Sequence, residues 1–465
     1  MNEIIMRQII TRTMSERKSG ESRKLFGTNG IRGIPNELLT FSFCSGIGAA
    51  IGSFAKGEII ALARDTRRSG DFVGSAVSAG IMSTGKNVVD LGVIPTPALQ
   101  LYCKNTGRFG VVITASHNPP QFNGIKCIDS DGTELRSEDE AAIEQLYFSS
   151  TFRKSEWTGI GTLLRDYNQG ERYVENLVSL VDADRIRSRH FKVVIDTGNG
   201  AAYSTSPALL TRLGCRVVSL NSNPDGLFTS RNAEPRPENL AELMQVMKSG
   251  RFDLGVAHDG DADRAVFIDE KGNFVEGENT LALVIKHMAG SGDTIVTPVS
   301  SSDIIDEVCR EKSLNLVKTR VGAPIVARTM IERQARLGGE ENGGVIIGDN
   351  QYCRDGGMTV AKILDIMAKT GKPLSTLVGE LPRYVLLKKS VETEGKPWDK
   401  MRKLAVDSFP ACRRDETDGL KIFFDEGWAL IRPSGTEPIV RVYVNTRDEG
   451  DARRLMEKVM GALKH

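Results

Sequence analysis

Short β-branched runs bounded by small and turn-forming residues alternate along most of this chain with segments of helical periodicity. Strands are expected at 59–65, 87–93 and 111–114, then at 192–196, 216–220 and 254–257, then at 294–298, 314–319 and 344–347. Apolar residues at helical spacing fill the gaps, as at 207–213 and 280–288. Strand–helix–strand alternation argues for mostly parallel sheets with helices on their faces. Three blocks with one rhythm predict three similar mixed α/β-sheet domains. After about residue 380 the rhythm changes to close-set strands at 420–424, 428–431 and 440–445 and a closing helix at 449–463, the pattern of a small C-terminal α+β domain. The expected domains are 24–165, 166–270, 271–380 and 381–465. Residues 1–23 are polar and mixed in charge, without a signal peptide's apolar core, and are expected to form a flexible extension; Met6 and Met14 are alternative starts.

Composition narrows the function classes. A chain of 465 residues is too long for one core. Its 61 basic and 60 acidic residues leave a net charge of +1, so no overall field steers it to nucleic acid or an anionic membrane, and neither is expected as a partner. Any anion site must be local. No apolar run approaches the roughly 20 residues that span a bilayer. Seven scattered cysteines without a C-x-x-C pair read as buried free thiols of a cytoplasmic protein rather than a disulfide framework or zinc site.

Two strand ends carry candidate chemistry. The run V-V-I-T-A-S-H-N-P-P (111–120) stops abruptly at Ser116, and a strand ending in a serine-bearing loop presents a hydroxyl at the carboxyl edge of a sheet. The run G-V-A-H-D-G-D-A-D-R (255–264) offers Asp259, Asp261 and Asp263 at alternate positions, so that in extended chain all three carboxylates point one way. Hard divalent cations take oxygen ligands, and Mg²⁺ keeps open positions for water or phosphate. An EF-hand is the competing reading, with Glu270 at its twelfth place, but Arg264 stands where that loop needs glycine and 265–268 reads as a strand. A solvated acidic turn is the bland reading; three spaced aspartates between apolar strands argue against it. Arg264 beside the cage can offset an anion's charge.

Serine in such a loop is most often a cap or turn residue. His117 suggests a hydrolase dyad, yet chain neighbours rarely meet with the right geometry and no G-x-S-x-G elbow is present. A phosphate on Ser116 would instead complete a site around the aspartates, with Asn118 and Asn123 as donors and Lys126 as a cation that stabilises charge or shuttles a proton. K-L-F-G-T-N-G-I-R-G (24–33) and R-P-S-G-T-E-P (432–438) combine glycine, hydroxyl and arginine as phosphate nests do, and G-G-E-E-N-G-G (338–344) carries acceptors and an amide suited to sugar hydroxyls.

Taken in order, F-G-T-x-G-I-R-G, T-A-S-H-N-P, D-G-D-A-D-R, G-E-x-x-G and R-x-S-G-T-E-P resemble the α-D-phosphohexomutase superfamily from Lys24 onward. The resemblance implies four domains around a central cleft: the first with the phosphoserine loop and the Arg32 segment, the second with the metal loop, the third with the sugar loop, the fourth with the phosphate loop. It implies that phosphorylated Ser116 gives its phosphoryl to a hexose monophosphate, that the bisphosphorylated sugar turns around, and that its other phosphate returns to Ser116. Mg²⁺ is then held by Asp259, Asp261, Asp263 and the phosphoserine. Lys126 and Arg32 match general acid/base positions; Glu340 and Asn342 match sugar contacts; Arg432, Ser434, Gly435 and Thr436 match the loop for the non-reacting phosphate. His117 and Arg264 are expected to line the substrate site. Arg64 matches a recurrent segment near the serine. The implied partners are a hexose phosphate substrate and a hexose bisphosphate activator.

Three positions depart from the usual pattern: Asn29 where many relatives have serine or aspartate, Gly344 where many have histidine, and Ala323 for a commoner polar residue. The G-E-E-N-G-G loop is similar to archaeal members. The expected reaction is glucosamine 6-phosphate to glucosamine 1-phosphate, with a phosphomannomutase/phosphoglucomutase as the alternative. A phosphatase, or a non-catalytic sugar-phosphate binding protein, stands further off; the latter is expected to lack Ser116 or an aspartate, and neither is missing.

Overall fold

A computed structural model of the protein describes residues 25–27, 29–392, 397–433 and 439–463. The expected extension 1–23 lies outside the described residues. The strands form four sheets. The first runs Ile31–Gly33, Asn123–Ile128, Phe109–Ile113, Ile59–Arg64, Asn87–Val93, Leu163–Arg165. The second runs Phe274–Val275, Ala265–Ile268, Leu254–His258, Lys192–Asp196, Arg216–Leu220. The third runs Asn315–Thr319, Thr294–Pro298, Leu337–Gly339, Val345–Ile347.

These three sheets are mixed, as expected, with parallel pairings the larger share. Each has a parallel centre, and each turns back on itself through an antiparallel hairpin: Phe109–Ile113 with Asn123–Ile128, Leu254–His258 with Ala265–Ile268, Leu337–Gly339 with Val345–Ile347. The three turns at those hairpins are the serine, aspartate and G-E-E-N-G-G loops. One device used three times thus aims three chemically different loops.

The fourth sheet, Val385–Glu392, Ile439–Thr446, Gly427–Pro433, Leu420–Phe424, Arg414–Asp415, is antiparallel throughout and packs on helix Glu449–Ala462. Its core is a separate apolar cluster, whereas one continuous cluster joins elements of the first three sheets. Helix Gly356–Thr370 lies in that shared core with most of its length buried, as its near-continuous apolar composition requires. Trp428 seats the fourth sheet on the third: it packs with Val299, and its indole N–H donates to Asp303 at 2.8 Å. All seven cysteines are free and six are buried. Among the described residues no helix is long and apolar enough to cross a membrane.

Candidate functional site

Ser116 follows strand Phe109–Ile113 and is completely buried. Its φ of +52° is left-handed, a conformation that costs a non-glycine residue about 1–2 kcal/mol and persists only when neighbours over-determine it. Those neighbours are present. The Ser116 N–H donates to Thr114 Oγ1 at 2.8 Å, and Thr114 donates to Asp65 at 2.6 Å. Arg67, wholly buried against Asp65, donates to the carbonyls of Ser116, Asn118, Pro119 and Phe122 at 2.7–2.9 Å. The Phe228 ring from the second domain lies 5.0 Å below its guanidinium. Arg67 therefore holds the serine loop by its backbone. Sequence reading singled out Arg64 in this segment, but Arg64 faces Asp71 at the surface. Removing Arg67 takes the cation from buried Asp65 and a donor from each of four carbonyls. Arg67→Ala is expected to cost about 3–5 kcal/mol, read as a lowered urea midpoint.

The loop at 259–264 brings the aspartates to the serine. Ser116 Oγ donates to Asp259 Oδ2 at 2.9 Å. Oxygens of Asp259, Asp261 and Asp263, all buried, lie within 4.8 Å of one another. Gly260 is required by the approach itself, because a Cβ there would stand 2.5 Å from the Ser116 carbonyl oxygen. Glu270, the twelfth residue of the discarded EF-hand, bonds Ser375 instead. Burial, with Asp263 and Asp261 alongside, pushes the Asp259 carboxyl up to about 8. Burial also works against a charge on Asp261, yet Lys126 and hydrogen bonds from Lys126 and Thr96 hold that carboxyl well below the usual range. Lys126 Nζ donates to Asp261 Oδ2 at 2.8 Å and stands 3.9 Å from Asp263. Thr96 Oγ1 donates to the same Asp261 oxygen at 2.7 Å.

Three buried carboxylates converging on one point repel one another unless cations intervene. Asp261 Oδ1 and Asp263 Oδ1 have no hydrogen-bond partner although fully buried. Orphaned oxygens of this kind on a hard donor set fit a divalent cation.

Arginines frame the cage. Arg264 Nε lies 3.8 Å from Asp259 and 3.7 Å from Asp263. Its NH2 is 3.0 Å from His117 Nδ1, and that ring sits 3.4 Å from Ser116 Oγ. Burial, then the Arg264 charge, drives the His117 pKa well down, and its Nδ1 lies closer to that guanidinium than to the serine hydroxyl. Arg32, on the strand paired with Asn123–Ile128, donates to Asn118 Oδ1 at 2.7 Å; burial lowers its pKa while Asp261 opposes that. Asn123 does not donate toward the serine: its amide bonds Ser69 at 2.9 Å.

From the third domain, Glu340 is buried and pairs with Arg354 at 2.8 Å. Burial raises its carboxyl while Arg354 opposes the shift. Arg354 also pairs with Asp263, so it joins the sugar loop to the aspartate loop. Sequence reading passed over Arg354. Its signal was R-D-G ahead of an apolar helix, where Asp355 caps by accepting from the Met358 N–H at 2.9 Å. Asn342 uses its side-chain oxygen to close the turn on the Gly344 N–H at 3.2 Å. The second glutamate, Glu341, accepts from Ser300 at 3.1 Å and reaches Lys388 of the fourth domain at 3.5 Å. Arg432 pairs with Asp418 at 3.1 Å, and Asp418 accepts from the Val321 N–H at 2.9 Å. Ser434, Gly435 and Thr436, expected to hold the non-reacting phosphate, lie outside the described residues.

The four segments of this architecture match known families in order. Those described as phosphoglucomutase/phosphomannomutase alpha/beta/alpha domains I, II and III match residues 23–154, 171–272 and 276–384, and the C-terminal domain matches 387–462. A Thermococcus kodakarensis protein named phosphoglucomutase/phosphomannomutase is 44% identical over 443 residues, covering 93% of this chain and 97% of that one. A Sulfurisphaera tokodaii protein named phosphoglucosamine/phosphogalactosamine mutase is 39% identical over 446 residues, covering 94% and 98%. The crystal structure of a phosphoglucomutase/phosphomannomutase family protein from Burkholderia thailandensis superposes with a TM-score of 0.85 at 28% identity, covering 96% and 98%. A strained serine on a buried aspartate cage, four domains in sequence and relatives matched along nearly their whole length make this chain a member of the phosphoglucomutase/phosphomannomutase family of phosphohexomutases.

Proposed function

We propose that the chain moves a phosphoryl group between C6 and C1 of a hexose phosphate, with Ser116 as its carrier, and that its preferred substrate is glucosamine 6-phosphate. The observation that carries the reading is the 2.9 Å contact of Ser116 Oγ with Asp259, inside a cage that Lys126 and Arg264 flank. Asp259, Asp261 and Asp263 would hold Mg²⁺, which when bound supplies charge neutralisation for the transferring group.

The chain's own residues do the rest. Phospho-Ser116 loses its phosphoryl as the Oγ–P bond breaks and a sugar hydroxyl forms the new P–O bond. The hydroxyl's proton ends on the Ser116 Oγ that the phosphoryl leaves; Lys126 would relay it by giving one proton to that oxygen as it takes up the other, and Arg32 would assist and offset the charge that builds. The bisphosphorylated sugar turns, and its other phosphate returns to Ser116. Glu340 and Asn342 orient the sugar, and Arg432, Ser434, Gly435 and Thr436 hold the phosphate that is not reacting. A hexose 1,6-bisphosphate would charge the serine initially.

The amino-sugar mutases among the relatives favour glucosamine phosphate, while the Thermococcus kodakarensis relative named phosphoglucomutase/phosphomannomutase favours glucose and mannose phosphates. A site that hydrogen-bonds one substrate group discriminates strongly against its absence. In a side-by-side assay kcat/KM is expected to be at least ~10-fold higher for glucosamine 6-phosphate than for glucose 6-phosphate or mannose 6-phosphate. The reverse order would establish the alternative. Inorganic phosphate released in step with turnover would indicate a phosphatase.

A further inference from the structure

Arg354 spans two of the three hairpin loops. One amino group of its guanidinium sits on Glu340 Oε2 at 2.8 Å and the other on Asp263 Oδ2. The residue is 7% exposed, so neither contact is a passing surface pair. The backbone opposite is hollowed to admit it: a Cβ on Gly344 would stand 2.3 Å from Arg354 Cδ and 3.0 Å from Cγ. The far oxygen of Asp263, Oδ1, is buried without a hydrogen-bond partner, 3.7 Å from Arg264 Nε, and Asp263 is one of the three carboxylates of the cluster. This carboxylate thus faces Arg354 at hydrogen-bond distance on one side and, with Lys126 and Arg264 further off at 3.9 and 3.7 Å, the cage on the other.

We propose that Arg354 is a positioning residue that competes with a divalent cation for the charge of Asp263 and so links cation occupancy of the cage to the seating of Glu340. A cation bound through Oδ1 adds positive charge near the guanidinium and weakens its hold on Oδ2. Arg354 is then free to bear on Glu340 alone. Linkage of this kind is reciprocal: whatever one site does to the other's affinity, the other returns. The assignment of Glu340 to the sugar rests on the function proposed above; the competition at Asp263 does not.

The test has a calorimetric and a kinetic arm. MgCl₂ titrated into sugar-free Arg354→Gln protein is expected to bind about tenfold tighter than to wild type, because a competing charge is gone. The same variant is expected to show KM for the hexose phosphate raised about tenfold, since Glu340 loses the cation that places it. A residue that merely supported the fold would weaken both. Arg354→Lys restores the competing charge without the two-pronged link, so its Mg²⁺ affinity returns to the wild-type value while KM stays high. Should Arg354→Gln fail to fold, Glu340→Gln leaves Arg354 on Asp263 alone, and Mg²⁺ binding is expected to weaken. Unchanged or weakened Mg²⁺ binding in Arg354→Gln, or unchanged binding in Glu340→Gln, overturns the proposal. A tightened Mg²⁺ isotherm in a protein that turns over no hexose phosphate would sink the proposed function and leave this inference standing.

Discussion

Ser116→Ala is expected to lower turnover on every hexose phosphate by on the order of 10⁴-fold or more, with little change in stability. The size follows from the chemistry: Ser116 is the hydroxyl presented at the strand end on Asp259, whereas the Thr96 hydroxyl, also on the cage, is committed to Asp261. The mild structural effect follows from the geometry. Arg67 grips the loop through carbonyl oxygens, and the Ser116 N–H bonds Thr114, so the serine hydroxyl itself supports the loop only through its contacts with Asp259 and His117. Matched urea midpoints with turnover lost would separate chemistry from folding. Turnover within about tenfold of wild type would remove Ser116 from the mechanism.

The second large effect concerns the cage. Asp261→Asn removes one negative charge from the cluster and strips Lys126 of its 2.8 Å partner at once. Divalent-cation affinity is expected to fall by at least about 10²-fold, with kcat/KM falling by about 10³-fold or more because phosphoryl transfer depends on positioned positive charge. Chelator treatment of the wild-type protein should imitate the kinetic loss, and added Mg²⁺ should reverse it for wild type only. Equal recovery of the variant at the same Mg²⁺ concentration would show that Asp261 is no ligand. Lys126 makes the substitution doubly informative, because it is buried and its other carboxylate partner among the described residues, Asp263, stands 3.9 Å away.

The parts of this site that were legible in the sequence share one property: their chemistry is local. Aspartates at alternate positions, which meet through a turn with Ala262 at φ +56° rather than through the expected extended chain, and a serine at the end of a β-branched run, carry their meaning within ten residues. Strands such as Lys192–Asp196 and Thr294–Pro298 were legible for the same reason, being buried runs between turns. Of the antiparallel returns, 265–268 and 344–347 read as strands, but Asn123–Ile128 did not, because it interleaves Asn, Gly, Lys and Cys with isoleucine; Leu337–Gly339, the strand ahead of the third turn, is mostly glycine, so tertiary pairing overrides propensity in both. Those returns are what convert three strand ends into three aimed loops.

Arg67 and Arg354 were missed because their importance lies in partners far along the chain. Arg67 reaches residues 116–122, and Arg354 reaches Asp263 and Glu340. No local pattern marks an arginine as the tie between loops; only the fold brings its partners within reach. Asn123 shows the converse: sequence proximity to Ser116 suggested a donor, but strand pairing turns its side chain to Ser69.

The central claim is that Ser116 carries the phosphoryl group, and the intact mass of the chain tests it most directly. After exposure to a hexose 1,6-bisphosphate and removal of the sugar, wild type is expected to carry one added phosphate, localised to Ser116 by fragmentation, and Ser116→Ala none. A phosphate mapped to any other residue, or equal phosphate in both proteins, would contradict the account.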